Sequence, residues 1–190
     1  MPKLRPGFAG EAESIAEDSR AELGVRNIDR LDPLQLAARL DIPVLSLRQL
    51  ADLDIEVPGL REAVDLLHGV EQTALSAVTV FAGAKRLILF NGEHIAARRA
   101  SDITHELAHG LLLHRPAPAL DHRGCRAWDT AIEYEASYLG GALLLPGKAA
   151  RWVAKCGMSP EYAAERFGCS IEMVRWRLSV SGARRLIKSR

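Results

Sequence analysis

Two histidines four residues apart with a glutamate beside the first, His105-Glu106-Leu107-Ala108-His109, are the residues of this chain best suited to chemistry. On a helix, positions i and i+4 lie one turn apart on one face, so both imidazoles can reach a single ion. Zinc takes neutral imidazole nitrogen at about 2.0–2.1 Å, and this spacing supplies two ligands of a tetrahedral site. Glu106 lies about 100° round the helix from His105 and need not bind the ion. Its carboxylate can instead take a proton from a metal-activated water.

A catalytic zinc needs a third protein ligand. The pattern of residues 129–145 predicts the next helix, stopped by Pro146-Gly147, and offers Glu133 and Glu135. They point about 200° apart, so at most one can face the ion. Ala136, Ser137 and Gly140 follow Glu133 on its own face as a stripe of small residues, which lets another helix backbone come close. Beyond Glu135 the same positions carry Tyr138, Leu139 and Ala142, which suit packing or solvent. The competing reading is a capping box between Thr130 and Glu133, though Asp129 is an equally good N-cap. Glu133 is the expected third ligand.

Other elements must position these side chains. The periodicity predicts a helix over residues 10–23, with Ala12, Ile15, Ala16, Ser19 and Leu23 on one face and Gly24 as its stop. Asp32-Pro33 opens a second helix, and Val44 to Leu47 reads as a first strand. Asp52 to Pro58 reads as loop and Gly59 to Leu67 as a helix. Val78 to Phe81 and Leu87 to Phe90, joined by a turn at Ala82–Lys85, predict a β-hairpin just before the His-Glu helix. Its edge could carry an extended peptide. Residues 115–128 read as a loop.

At 190 residues, 48% hydrophobic and 26% charged, the chain has enough apolar content for one ordinary core. The formal net charge of +1 hides an asymmetry. Residues 148–190 carry ten Lys/Arg against three Asp/Glu, leaving an acidic body over residues 1–147. The expected organisation is accordingly a domain over 1–147 and a helical subdomain over 148–190 packed on it. Three cysteines with no C-x-x-C spacing argue against a disulfide framework and a thiolate zinc site. Without a signal-peptide core or an apolar run long enough for a bilayer, the expected compartment is the cytoplasm.

The chain resembles the ImmA/IrrE family of zinc metallo-endopeptidases. The likeness rests on His105-Glu106-Leu107-Ala108-His109 and on Glu133-Tyr134-Glu135-Ala136 leading into Ala142-Leu143-Leu144-Leu145-Pro146, with Glu133 on the family's ligand position. Weaker matches are Arg20 to Gly24, Leu31-Asp32-Pro33, Asn91 and Arg98. Departures are Leu139 where the family carries an aromatic, Gly140-Gly141 after it, and His114 extending the first motif. The resemblance implies an α+β, mainly helical zincin-like core with a small sheet before the active helix. It also implies one zinc per chain, with manganese as the alternative ion. The implied substrate is a helix-turn-helix repressor, whose cleavage switches on phage, mobile-element or stress genes. Glu106 is the expected general base, with zinc on His105, His109 and Glu133. Tyr134, Tyr138, His94 and His114 could each supply an oxyanion donor, with packing or support of the ligands as the favoured reading of each.

Residues 159–178 fit a helix-turn-helix-like unit, with Ala164, Gly168 and Val174 at its contact, turn and second-helix positions. Arg175 and Arg177 make DNA contact one reading of this unit. Helical packing with solvated arginines is the favoured reading. The rival function is a DNA- or repressor-binding regulator whose zinc site is structural or vestigial. An intact Glu106 favours the enzyme, since a purely structural site gains nothing from a base.

Overall fold

The computed structural model describes residues 4–53, 76–82, 85–114 and 129–188. Helix α1 (Phe8–Glu22) buries Phe8, Ala12, Ala16, Ser19 and Arg20 on one stripe. Asp32 caps α2 (Pro33–Arg39) by accepting from the Leu34 amide, with Pro33 in the first turn as expected. Strand β1 (Val44–Ser46) is one residue shorter than its apolar run suggests. Leu47 instead opens a short helix, α3 (Leu47–Asp52), because Ser46 and Gln49 form a reciprocal capping box. That S-x-x-Q signal is legible in the sequence, but the apolar Val44-Leu45 before it and Leu47 within it mask it. The loop expected over 52–58 lies largely outside the described residues. The helix expected over 59–67 and the loop over 115–128 lie wholly outside them.

Strands β2 (Ala77–Ala82) and β3 (Lys85–Phe90) form the expected antiparallel hairpin, with Thr79 opposite Ile88. β1 adds to β3 in parallel, Val44 opposite Ile88, giving the order β1-β3-β2. The remaining helices among the described residues are α4 (Ala96–Leu111), α5 (Thr130–Leu144), α6 (Gly147–Cys156), α7 (Pro160–Phe167), α8 (Ile171–Val180) and α9 (Arg184–Lys188). The fold is mostly helical with one small sheet ahead of the helices, a zincin-like α+β core.

Two apolar clusters meet along α5. The first joins Leu107 and Ala108 of α4 to Ala136, Leu139 and Leu143 of α5, with Phe8, Leu36 and Ile88 beside them. The second begins with Leu144 and Leu145 and continues through Ala150, Val153, Phe167, Val174 and Leu178 of α6, α7 and α8. At the junction two fully buried arginines neutralise the end of α5. Arg20 donates to the Leu144 carbonyl at 3.2 Å and twice to Asp29 O. Arg177 donates to the Leu145 carbonyl at 2.9 Å and pairs with Glu13. Glu13 also accepts the Gly147 amide, the first of α6, at 2.6 Å. Burial pulls the Arg20 guanidinium down to about 10, which still leaves it charged at neutral pH.

Helices α4 and α5 run in opposite directions and touch backbone to backbone. A Cβ at Gly140 would stand 3.1 Å from the His105 nitrogen and 3.2 Å from its Cα. Gly140→Ala should therefore force the helices apart by a few tenths of an ångström and destabilise the fold by about 1–3 kcal/mol. Urea unfolding of both proteins measures this, and an unchanged midpoint would show that the crossing has slack. α4 ends in a Schellman turn: the Leu113 amide bonds Gly110 O at 3.1 Å and the His114 amide bonds His109 O at 3.0 Å. Its left-handed position, usually glycine, is Leu113 at φ 54. Leu113→Gly should raise stability by about 1 kcal/mol, read as a higher thermal midpoint.

Candidate metal centre

His105 and His109 stand on successive turns of α4, and their Nε2 atoms face each other at 3.1 Å. Glu133, on the first turn of α5, brings Oε2 to 3.1 Å from His105 Nε2 and 3.6 Å from His109 Nε2. An ion bound tetrahedrally at about 2.0–2.1 Å holds its ligands roughly 3.3–3.4 Å apart, so the three atoms fit one such ion. Of the described residues these three form the group that could hold a metal. Each is about one-quarter exposed, so the cluster opens to solvent on one side. The His105 and His109 side chains hold the Glu133 carboxyl far below the usual carboxylate range. It is ionised at any pH at which zinc could bind.

Glu133 is free for this role because Asp129 caps α5, accepting from the Ala131 and Ile132 amides at 2.9 and 3.3 Å. The Thr130–Glu133 capping box is not formed. Glu135 points the other way, to Arg5 Nε at 3.1 Å and His114 Nε2 at 3.7 Å. The small-residue stripe lies where Glu133's face meets α4: Ala136 is fully buried and Gly140 sits on the His105 backbone.

Both imidazoles are also touched at their second nitrogens. Ser137 Oγ lies 3.4 Å from His105 Nδ1, and His114 Nδ1 lies 3.0 Å from His109 Nδ1. Burial, with His109 nearby, lowers the His114 pKa, against an opposing pull from Glu135. Glu106 is not one of the three converging side chains; Thr79 of β2 donates its hydroxyl to Glu106 Oε2 at 2.6 Å. Thr79 was not anticipated. Its signal was a hydroxyl inside the otherwise apolar strand Ala77-Val78-Thr79-Val80-Phe81, but the facing partner lies 27 residues away. Ser137, expected as a small residue of the stripe, also sets its hydroxyl against the His105 ring.

Other candidates fall elsewhere. Tyr138 is in the core, edge-on to Phe8 and Trp176 and under the Arg177 guanidinium. It lies five residues beyond Glu133, about 140° round the helix, so it cannot face the cluster as an oxyanion donor. Burial raises its pKa. Tyr134 is partly buried beside Glu133 but does not join the cluster. His94 pairs through Nδ1 with Asp102 at 3.1 Å, its side chain almost wholly buried. Arg177 is also corrected. Completely buried and engaged by Leu145 O and Glu13, it cannot meet a phosphate. Arg175 is exposed and stands 3.6 Å from Glu161. No helix among the described residues is long and apolar enough to cross a membrane.

No curated protein matches the chain. A Mycobacterium tuberculosis transcriptional regulator of known structure superposes with a TM-score of 0.53 at 19% identity, over 90% of this chain and 46% of that one. The likeness is one of fold, and the chain spans less than half of that protein's length. The family model of the IrrE N-terminal-like domain, Peptidase_M78, matches residues 58–179, which take in both the His-Glu helix and the Glu133 helix, and the chain belongs to that family.

Proposed function

We propose that this chain is a zinc-dependent endopeptidase that cleaves a helix-turn-helix repressor in the cytoplasm. The family supports a metallopeptidase-type activity. The observation that carries the finer reading is the convergence of His105 Nε2, His109 Nε2 and Glu133 Oε2 at 3.1 to 3.6 Å. These three residues would hold the ion. When bound, zinc supplies Lewis acidity: it makes water a better nucleophile near neutral pH and offsets charge growing on the scissile carbonyl oxygen.

Glu106 then has the work of a general base. It accepts the proton of the attacking water at one carboxylate oxygen and returns it to the leaving amine. The Thr79 hydroxyl on Oε2 restricts the carboxylate to one orientation, so the proton acceptor is aimed before substrate arrives. β2 pairs with β3 on one side only among the described residues. Its outer edge offers backbone groups to an extended peptide, and Thr79 brings that strand to the base. A peptide laid there would present its carbonyls beside Glu106.

The repressor substrate follows from the family resemblance, and the similarity to a transcriptional regulator fits it. Direct DNA reading is disfavoured by the burial of Arg177. Residues 1–147 would then form the peptidase domain, and 148–190 a helical subdomain whose apolar cluster begins on Leu144 and Leu145.

Purified protein should bind about one zinc per chain. His105→Ala and Glu133→Ala should each lose it, while Glu135→Ala retains most of it, as elemental analysis can read. Loss with Glu135→Ala and retention with Glu133→Ala would reverse the ligand assignment. Glu106→Gln should keep zinc and fold but cut repressor cleavage by about 10²–10⁴-fold. Cleavage followed by mass spectrometry decides it, and equal rates would remove Glu106 as the base.

A further inference from the structure

We infer that His114 is a positioning residue for His109, the outer half of a histidine pair that fixes how His109 presents its Nε2. The inference rests on the metal reading above but concerns a contact of this chain's own. The Schellman turn at the end of α4 folds the chain back so that His114 stacks beside the start of the last turn. Such turns usually set an apolar side chain against the residue five before it. Here that contact is His114 on His109, with ring centroids 5.0 Å apart and planes at 69°. A leucine occupies the left-handed position that makes the return, at φ 54 and 78% exposed. A strained, solvent-facing apolar residue gains nothing from that conformation itself.

Proton counting gives the contact a direction. Two Nδ1 atoms at 3.0 Å share one proton, so one ring donates and the other accepts. If His109 offers its Nε2 lone pair to an ion, its proton resides on Nδ1 and must be the donor. His114 then accepts at Nδ1 and carries its own proton on Nε2. That nitrogen faces Glu135 Oε2 at 3.7 Å, and Arg5 holds the same carboxylate at 3.1 Å. The chain Arg5–Glu135–His114–His109 thus selects the one His109 tautomer that can bind metal. Among the described residues, His105 has Ser137 Oγ at 3.4 Å for the same purpose. The two imidazoles are therefore not equivalent, and His109 is the more firmly held.

Leucine and asparagine have nearly the same shape, and asparagine alone places an acceptor where His114 Nδ1 lies. His114→Leu should weaken zinc binding about 10–100-fold in a chelator competition, while His114→Asn stays close to the parent. The visible bands of the cobalt(II)-loaded protein should shift in the leucine variant and not in the asparagine variant. Metal-free thermal unfolding checks the fold. Should the leucine variant not fold, His114→Phe keeps an aromatic ring against His109 and removes the acceptor. Equal affinity and identical spectra for leucine and parent would overturn the inference, as would an equal loss in leucine and asparagine, which would make the contact packing alone. A parent that binds neither zinc nor cobalt would instead remove the metal reading itself.

Discussion

The geometry of the site depends on how closely two helix backbones can approach. Glu133 has a short side chain and must bring an oxygen to 3.1 Å from a nitrogen on another helix. It can do so only because Gly140, two turns further along α5, lets the chain lie against the His105 backbone. Any side chain there would act as a spacer between α4 and α5. Interdigitation elsewhere cannot compensate, because Leu107, Ala108, Ala136 and Leu139 already fill the contact without exposure. One missing Cβ thus connects the packing of the core to the spacing of the three converging side chains.

A second constraint fixes where α5 ends. Its last carbonyls would be orphaned in the interior, since Leu144 and Leu145 are fully buried and Pro146 cannot continue the helix. Arg20 from α1 and Arg177 from α8 satisfy them, and Glu13 balances one of the charges while accepting the first amide of α6. A guanidinium suits this place because its planar fork can serve a carbonyl and a carboxylate at once. An arginine on the second helix of a helix-turn-helix-like pair invites a nucleic-acid reading. In this chain it instead helps bind the terminal helices to the body, beside Arg166 on Ile28 O and Lys148 on Glu17. Breaking the Arg177 pairing would strand a buried charge, which is far more damaging than losing a surface contact.

These relations were unevenly legible in the sequence. His105, His109 and Glu133 could be brought together on paper because helical periodicity is local arithmetic and the small stripe at Ala136, Ser137 and Gly140 announced a close crossing. The hairpin was readable for the same reason. The parallel pairing of β1 with β3 was not, since nothing local says which strand a short apolar run will join. Thr79 and Arg177 escaped for a related cause. Their partners lie 27 and 164 residues away, and the meaning of a hydroxyl or a guanidinium is set by its partner rather than by its neighbours in the chain. Tyr138 carried two readings: a phenol near a metal motif suggests chemistry, whereas its position round α5 suits packing, and the packing on Phe8 and Trp176 agrees with the second.

The convergence of His105, His109 and Glu133 is therefore a consequence of packing rather than of a bound ion. In small zinc modules the ion supplies the folding free energy, and the ligands have no fixed arrangement without it. Here each turn that carries one of the three converging side chains is flanked by fully buried residues, Leu107 and Ala108 between the histidines and Ala136 one turn beyond Glu133. Burying a leucine alone contributes about 1.5–3 kcal/mol, so the two apolar clusters together outweigh any single contact at the site. Helices held in this way meet an ion with their donors already converged, and little ordering remains to be done on binding. The same rigidity explains why supports such as Thr79, Ser137 and His114 matter. With the backbones fixed, the freedom left to the site is the rotation of rings and carboxylates, and those three side chains are the ones that touch it.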